Sequence, residues 1–165
     1  MTTTATETRQ FISSVQLLEH WQGHRNLTRR VIEMFPEKEL FEFSIGGMRT
    51  FAKIAVELLS IAGPGLKGIV EKQVEDFSEE TFQPKTKEEL LAKWDSETEV
   101  INQYFNQISE ERFQETFNLF GQYEFPIYQN ILYFVDNEVH HRGQGFVYLR
   151  ALGIDPPFFW ERFSI

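Results

Sequence analysis

The chain has 165 residues, is 41% hydrophobic and carries a formal net charge of −9, which is the length and apolar content of one domain with a real core. Seventeen Phe and three Trp make that apolar fraction bulky, so a few helices can bury a large area. The acidic balance without a basic stripe argues against a nucleic-acid partner and an anionic membrane surface, and the absence of cysteine excludes disulfides, thiolate zinc sites and a cysteine nucleophile.

Residues 1–10 are Thr-rich and polar, and read as a disordered or frayed tail rather than a signal peptide. Residues 11–165 read as a single helical domain. No apolar run reaches the roughly 20 residues that span a bilayer, so a cytoplasmic location is expected. The first helix is expected from Phe11 to about Phe35, with Val15, Leu18, Trp21, Leu27, Val31 and Met34 recurring at three-to-four spacing. Pro36 stops it.

Phe43–Gly47 reads as a loop with Ser44 as N-cap. A second helix is expected from about Met48 to Ala62, ended by Gly63-Pro64-Gly65. Leu66–Lys72 reads as a short extra helix. The acidic stretch Glu71, Glu75, Asp76, Glu79 and Glu80 reads as a solvated crossover. Thr86 with Glu89 three residues later forms a capping box that opens a third helix, about Lys87 to Ile108. Residues 109–123 form a connector. The fourth helix runs from near Pro126 to Gly153, a C′ glycine, and Phe158-Phe159-Trp160 packs back on the domain. Four long amphipathic helices without strand signals predict an all-α four-helix bundle with a long crossover between helices two and three.

The last helix carries an unusual polar load in Asp136-Asn137-Glu138-Val139-His140-His141-Arg142-Gly143-Gln144. Burying such groups costs free energy unless they are paired or coordinated. Helical spacing places Phe134, Asn137, His141, Gln144 or Gly145, and Tyr148 on one face, so His141 is expected to face the interior. Gly143 and Gly145 each cost roughly 1 kcal/mol in a helix relative to alanine. They imply close approach of another element, or room left beside a site. Asp136 and His140 read as a surface pair. His20 and His24 have metal-compatible spacing, but no third ligand adjoins them, and a rim pair is expected. Arg142 and Arg150 suit either an anionic substrate or a structural role, Arg150 through the helix dipole.

His140-His141-Arg142-Gly143-Gln144, with Tyr148-Leu149-Arg150, Leu152-Gly153 and Pro156-Pro157, resembles the C-terminal signature of the DinB/YfiT-like superfamily. Ser44-Ile45-Gly46-Gly47-Met48-Arg49-Thr50-Phe51 resembles the start of that family's second helix. The resemblance implies a homodimeric four-helix bundle holding a divalent ion, nickel or zinc, on three histidines. It also implies thiol-dependent transferase or isomerase chemistry with an external low-molecular-weight thiol such as bacillithiol or mycothiol.

His141 matches the last of those ligands. Asn137 stands four residues earlier where the family has histidine, and Glu57 falls at the second-helix position, in a helix without histidine. A Glu57–Asn137–His141 set is harder than three imidazoles, binds zinc or nickel more weakly and leans toward manganese, iron or magnesium. The other reading is a metal-free cluster in which Glu57 pairs with His141 and Asn137 hydrogen-bonds to the pair.

Two functions follow. One is a divalent-metal-dependent transferase or hydrolase acting on a small molecule. There His141, Asn137 and Glu57 are ligands, Glu57 and Gln144 are candidate catalytic groups, and Arg142 holds a cofactor. The other is a degenerate, metal-free binding or scaffold protein on the same bundle; a further ligand on the cleft wall, from Glu97, Glu99 or Glu138, would count against it.

Overall fold

The computed structural model describes residues 11–74, 76, 78 and 81–163. The tail expected over residues 1–10, and Glu75, Glu79 and Glu80 of the acidic crossover, lie outside the described residues. Helix α1 (Ser14–Met34) starts three residues later than its apolar spacing suggests. Ser13 and Gln16 form a complete capping box there: the Ser13 hydroxyl accepts from the Gln16 N–H at 3.2 Å, and the Gln16 amide oxygen accepts from the Ser13 N–H at 3.0 Å. The helix stops as expected before Pro36, because the residue preceding a proline is pushed out of the helical region. Phe35 there is extended, with φ −63° and ψ 135°. A short helix, α2 (Glu37–Glu42), follows where no element was expected and buries Leu40.

Helix α3 (Phe51–Glu71) corrects two expectations. Its N-cap is Thr50 rather than Ser44, and it runs through Gly63-Pro64-Gly65 into the segment expected as a separate helix. The breaker signal fails because these small residues are packing devices. A Cβ on Gly65 would lie 2.6 Å from the Phe134 ring, and one on Gly63 would collide with the Glu97 carboxylate. The proline's cost, about 3 kcal/mol, is met by burial on both sides: Ile61, Ala62, Leu66 and Ile69 are all in the core.

Helix α4 (Lys87–Phe105) opens on Thr86, whose hydroxyl accepts from the Glu89 N–H at 3.1 Å. Glu89 reaches back to the Lys85 N–H instead of to Thr86. The connector is structured. A 3₁₀ turn (Glu110–Gln114) leads into β1 (Thr116–Leu119) and β2 (Tyr123–Pro126), an antiparallel hairpin with Leu119 opposite Tyr123. These strands overturn the strand-free expectation. Their four residues each are too short for alternation to show, and the turn uses Phe120 at φ 54° with Gly121 rather than a recognisable Asn-Gly pair.

Helix α5 (Ile127–Ala151) ends in a Schellman motif: Ile154 N–H donates to Leu149 C=O at 2.9 Å and Gly153 N–H to Arg150 C=O at 3.0 Å, with Gly153 at φ 76°. The chain is mostly helical. Helix α1 packs on α4 and α5, and α3 packs on the same two, so α5 lies against both α1 and α3. The core falls in two parts. One gathers Val31, Phe35, Phe51, Trp94, Tyr148 and Leu149. The other gathers Trp21, Leu66, Ile101, Phe105, Ile131 and Phe134. Among the described residues no helix is long and apolar enough to cross a membrane.

Candidate functional site

Because α5 touches α1 on one side and α3 on the other, its polar residues are divided between two interiors. On the α3 side, His141 is buried and its Nε2 lies 3.2 Å from Glu57 Oε1. Its Nδ1 lies 3.1 Å from the Gln144 side-chain oxygen, one turn along α5. The Gln144 amide nitrogen then meets His140 Nε2 at 3.2 Å. The second oxygen of Glu57 is held by the Arg49 guanidinium. Arg49 precedes the α3 N-cap, and its backbone carbonyl accepts from the Tyr148 hydroxyl at 2.9 Å, so a residue two turns beyond His141 fixes the other end of the chain of contacts.

The electrostatics follow from this geometry. The hydrogen bond from His141 outweighs partial burial and, with Arg49, holds the Glu57 carboxyl down at about 2. Glu57 in turn raises His141 above its ordinary value against the opposing effect of burial, with Gln144 adding to the rise. An imidazole with an acceptor at each nitrogen donates from both, which is the imidazolium.

Beside these groups lies a cavity of about 330 Å³ lined by Arg49, Glu57, Ile61, Phe120, Tyr123 and Tyr133. The hairpin supplies Phe120 and Tyr123. Tyr123 stacks on Tyr133 of α5 with ring centroids 5.6 Å apart. Burial is the main cause holding the Tyr133 hydroxyl above its usual range. Arg49, Tyr123 and Tyr133 were missed as site residues, since the hairpin that assembles the wall was not legible. Arg49 was visible in the second-helix motif, but nothing in its spacing assigned it to Glu57.

The structure thus brings together Glu57, His141 and Gln144 of the expected site. Asn137, half-buried one turn before His141, makes no side-chain hydrogen bond among the described residues, so Arg49 fills the place expected for it at the Glu57–His141 pair. Among the described residues no three His, Cys, Asp or Glu side chains converge as a metal-binding group. Glu97 pairs with Lys93 on α4, and Glu138 faces α1. Asp136 does not pair with His140, which turns to Gln144 instead.

Arg142 is carried to the α1 side. It donates to His24 Nδ1 at 2.9 Å and to the Thr28 hydroxyl at 3.2 Å. Glu138, fully buried, accepts from the Thr28 hydroxyl at 2.6 Å and pairs with buried Arg25 at 3.5 Å. Arg25 stacks over Trp94, 4.1 Å from the ring centroid. His24 is not the expected rim group: it is buried, 3.2 Å from His20.

The DinB family model matches residues 1–164. The crystal structure of a DinB-like protein from Bacillus cereus ATCC 10987 is similar in fold, with a TM-score of 0.73 at 15% identity, covering 88% of this chain and 97% of that one. No curated protein sequence matches. A family match over almost the whole length, on a helical framework that superposes with a DinB-like structure, leads to one conclusion: the chain belongs to the DinB family.

Proposed function

We propose that this DinB-family chain is a metal-free, small-molecule-binding protein built on a four-helix bundle, with residues 72–86 as the crossover between α3 and α4. In this reading the Arg49–Glu57–His141–Gln144 chain stands where relatives of the family would hold a metal, and the adjoining cavity takes the ligand. One observation carries it. Both nitrogens of His141 face acceptors, so neither offers a lone pair, and the free oxygen of Glu57 is already neutralised by a guanidinium. One imidazole and one carboxylate committed in this way do not fit a resident nickel or zinc ion, which asks for three or more deprotonated ligands. The cavity suits a small amphipathic molecule: Ile61, Phe120 and the two tyrosine rings supply apolar contact, and Arg49 and Glu57 supply a charged end of each sign.

A second reading is favoured by the convergence itself, since Glu57 and His141 meet at 3.2 Å at the positions that match the family's ligands. A divalent ion replacing the shared proton there would be held by one oxygen and one nitrogen, leaning to manganese or iron. It would support metal-dependent transfer or hydrolysis, with a thiol supplied from outside.

One experiment separates the two. Untagged protein is analysed by elemental mass spectrometry, as purified and after incubation with manganese, zinc or nickel, alongside His141→Ala. The expected result is metal far below one ion per chain in both proteins. Near-stoichiometric metal in the wild type that falls in His141→Ala overturns the metal-free reading and calls for thiol-transfer assays.

A further inference from the structure

The α1 side of α5 holds a second cluster with a different hydrogen-bond problem. Arg142 Nη2 donates to His24 Nδ1 at 2.9 Å, His24 Nε2 lies 3.2 Å from His20 Nε2, and Arg162 Nη1 lies 2.9 Å from His20 Nδ1. Arg162 comes from the tail after α5. That tail is pinned to α1: Asn26 donates to the Arg162 carbonyl and Arg30 to the Glu161 carbonyl.

Donors and acceptors do not balance along this line. Guanidiniums only donate, so the two Nδ1 atoms must both be acceptors. A neutral imidazole carries one proton, which then sits on Nε2 of each ring, and the two Nε2–H groups point at each other. Moving either proton leaves a guanidinium facing an N–H. Protonating either ring adds a donor and worsens the count. Burial, then Arg142, His20 and Arg162, hold His24 down at about 3, so it stays neutral. The cluster is one acceptor short. Its carboxylates are spent elsewhere: Glu138 pairs with Arg25, and Glu161 pairs with Arg30. No carboxylate pairs with Arg162 among the described residues.

Beside the cluster is a cavity of about 420 Å³ lined by His24, Arg142, Gly143, Phe159, Trp160 and Arg162, among others. Gly143 is an independent sign of room. It sits inside α5, where glycine is costly, yet a Cβ there would meet nothing within 4 Å. Gly145, two residues on, is required by the Phe51 ring; Gly143 is required by no neighbour and leaves the cavity floor open. The rings of Phe159 and Trp160 are 67% and 60% exposed at the rim, which is apolar area left for a flat body to cover.

We propose that this cavity binds a small molecule with an anionic oxygen group, carboxylate or phosphate, on a flat apolar body. The anion supplies the missing acceptor to Arg162 and to the His20–His24 pair, and the body lies against Phe159 and Trp160 over Gly143. The site is separate from the Glu57–His141 cavity and does not rest on the function proposed for it.

The test is a titration of the full chain with phenyl phosphate and with 3-phenylpropionate, read from the Trp160 indole N–H signal in two-dimensional NMR. Benzyl alcohol serves as the neutral control. Trp21 and Trp94 are fully buried, so the exposed indole reports this site. The expected result is saturable binding of at least one anion, and the preferred head group identifies the source. Benzyl alcohol and Arg162→Gln should each weaken binding about tenfold, the worth of one charge-assisted hydrogen bond. Gly143→Leu fills the floor while improving helix propensity, so it should stay folded and lose binding. No saturable shift with either anion, or binding unchanged in Gly143→Leu, overturns the proposal.

Discussion

On the α3 side of α5, donors and acceptors alternate from Arg49 through Glu57, His141 and Gln144 to His140, and every hydrogen-bonding group along the line has its complement. On the α1 side, three guanidiniums (Arg25, Arg142 and Arg162) and two imidazoles gather around one buried carboxylate among the described residues, Glu138, which pairs with Arg25. Both clusters come from one nine-residue polar run on one helix. The balanced side achieves closure internally and presents its charges at a cavity mouth. The unbalanced side stays electropositive inside a protein whose net charge is −9. A polar load on a buried helix therefore does not define one site; the helices packed on each side sort it into two, one with its hydrogen bonds closed and one left short of an acceptor.

The largest break in this comparison is expected at Glu138. Glu138→Ala removes the carboxylate paired with buried Arg25, leaving only the more distant Glu97 and Asp95 to compensate it, and one of the two acceptors of the Thr28 hydroxyl; breaking a buried pair in this way costs about 3–5 kcal/mol. Glu57→Ala on the other side leaves Arg49 free to turn to water, since its side chain is 42% exposed, and lets His141 release its extra proton rather than stay charged and buried, so it should cost much less. Urea unfolding of the two variants checks the ordering. Equal losses would mean that the α1-side charges are not buried as described.

The glycines sharpen the contrast at smaller scale. A Cβ at position 145 would lie 2.5 Å from the Phe51 ring and 3.0 Å from Val31, both rigid core groups. Gly145→Ala should therefore destabilise by about 1–3 kcal/mol, as overpacking does. Gly143→Ala meets nothing and should stabilise by up to about 1 kcal/mol through helix propensity alone. Thermal melts of the pair should move in opposite directions. A loss in both would show that position 143 is packed.

That pair also shows where the sequence was readable. Helical spacing put Gly143 and Gly145 in one helix and offered both explanations, close approach and open room, but only the neighbours decide which holds where. The same limit explains Gly63-Pro64-Gly65, a breaker in isolation and a tight packing surface against Glu97 and Phe134 in context. Local chemistry was legible at the Thr86–Glu89 cap, the Pro36 stop and the Gly153 terminus; the Ser13–Gln16 box and the Thr50 cap are equally local, but apolar spacing and a nearby serine pointed to other starts for those helices. His141 and Glu57 were legible through the family motifs and do meet. Arg49, Tyr123 and Arg162 were not: Arg49 folds back on Glu57 from outside the helix, where helical spacing gives no rule, Tyr123 depends on a hairpin of four-residue strands, and Arg162 returns on the tail after α5. Glu138 was read as a metal-ligand candidate for the cleft, one α5 residue among several; the α1 helix turned it into the charge partner of Arg25.

The smallest expected effect is one of pH, and it isolates the α1-side cluster. His24 is held at about 3 in the fold by burial first, then by Arg142, His20 and Arg162, against 6.5 ordinarily. His20 and Glu138 face the same interior, and only Glu138 opposes the cations. The unfolded chain therefore binds a proton at position 24 as pH falls through 6.5, while the folded chain does not until pH approaches 3. Protons bound by the unfolded state lower stability on acidification, so this group's contribution is intact above pH 6.5 and drains away between 6.5 and 3. The slope cannot exceed one proton. Urea midpoints measured at pH 7 and at pH 5 should differ less in His24→Gln than in the wild type, because glutamine keeps a polar side chain without the titration. The interval lies above the region near 2 where the Glu57 carboxyl takes its proton, so the α3 side holds Glu57 ionised throughout. An unchanged pH dependence in His24→Gln would mean that the ring takes up its proton in the fold as readily as in the unfolded chain, so that neither burial nor the neighbouring guanidiniums hold it down.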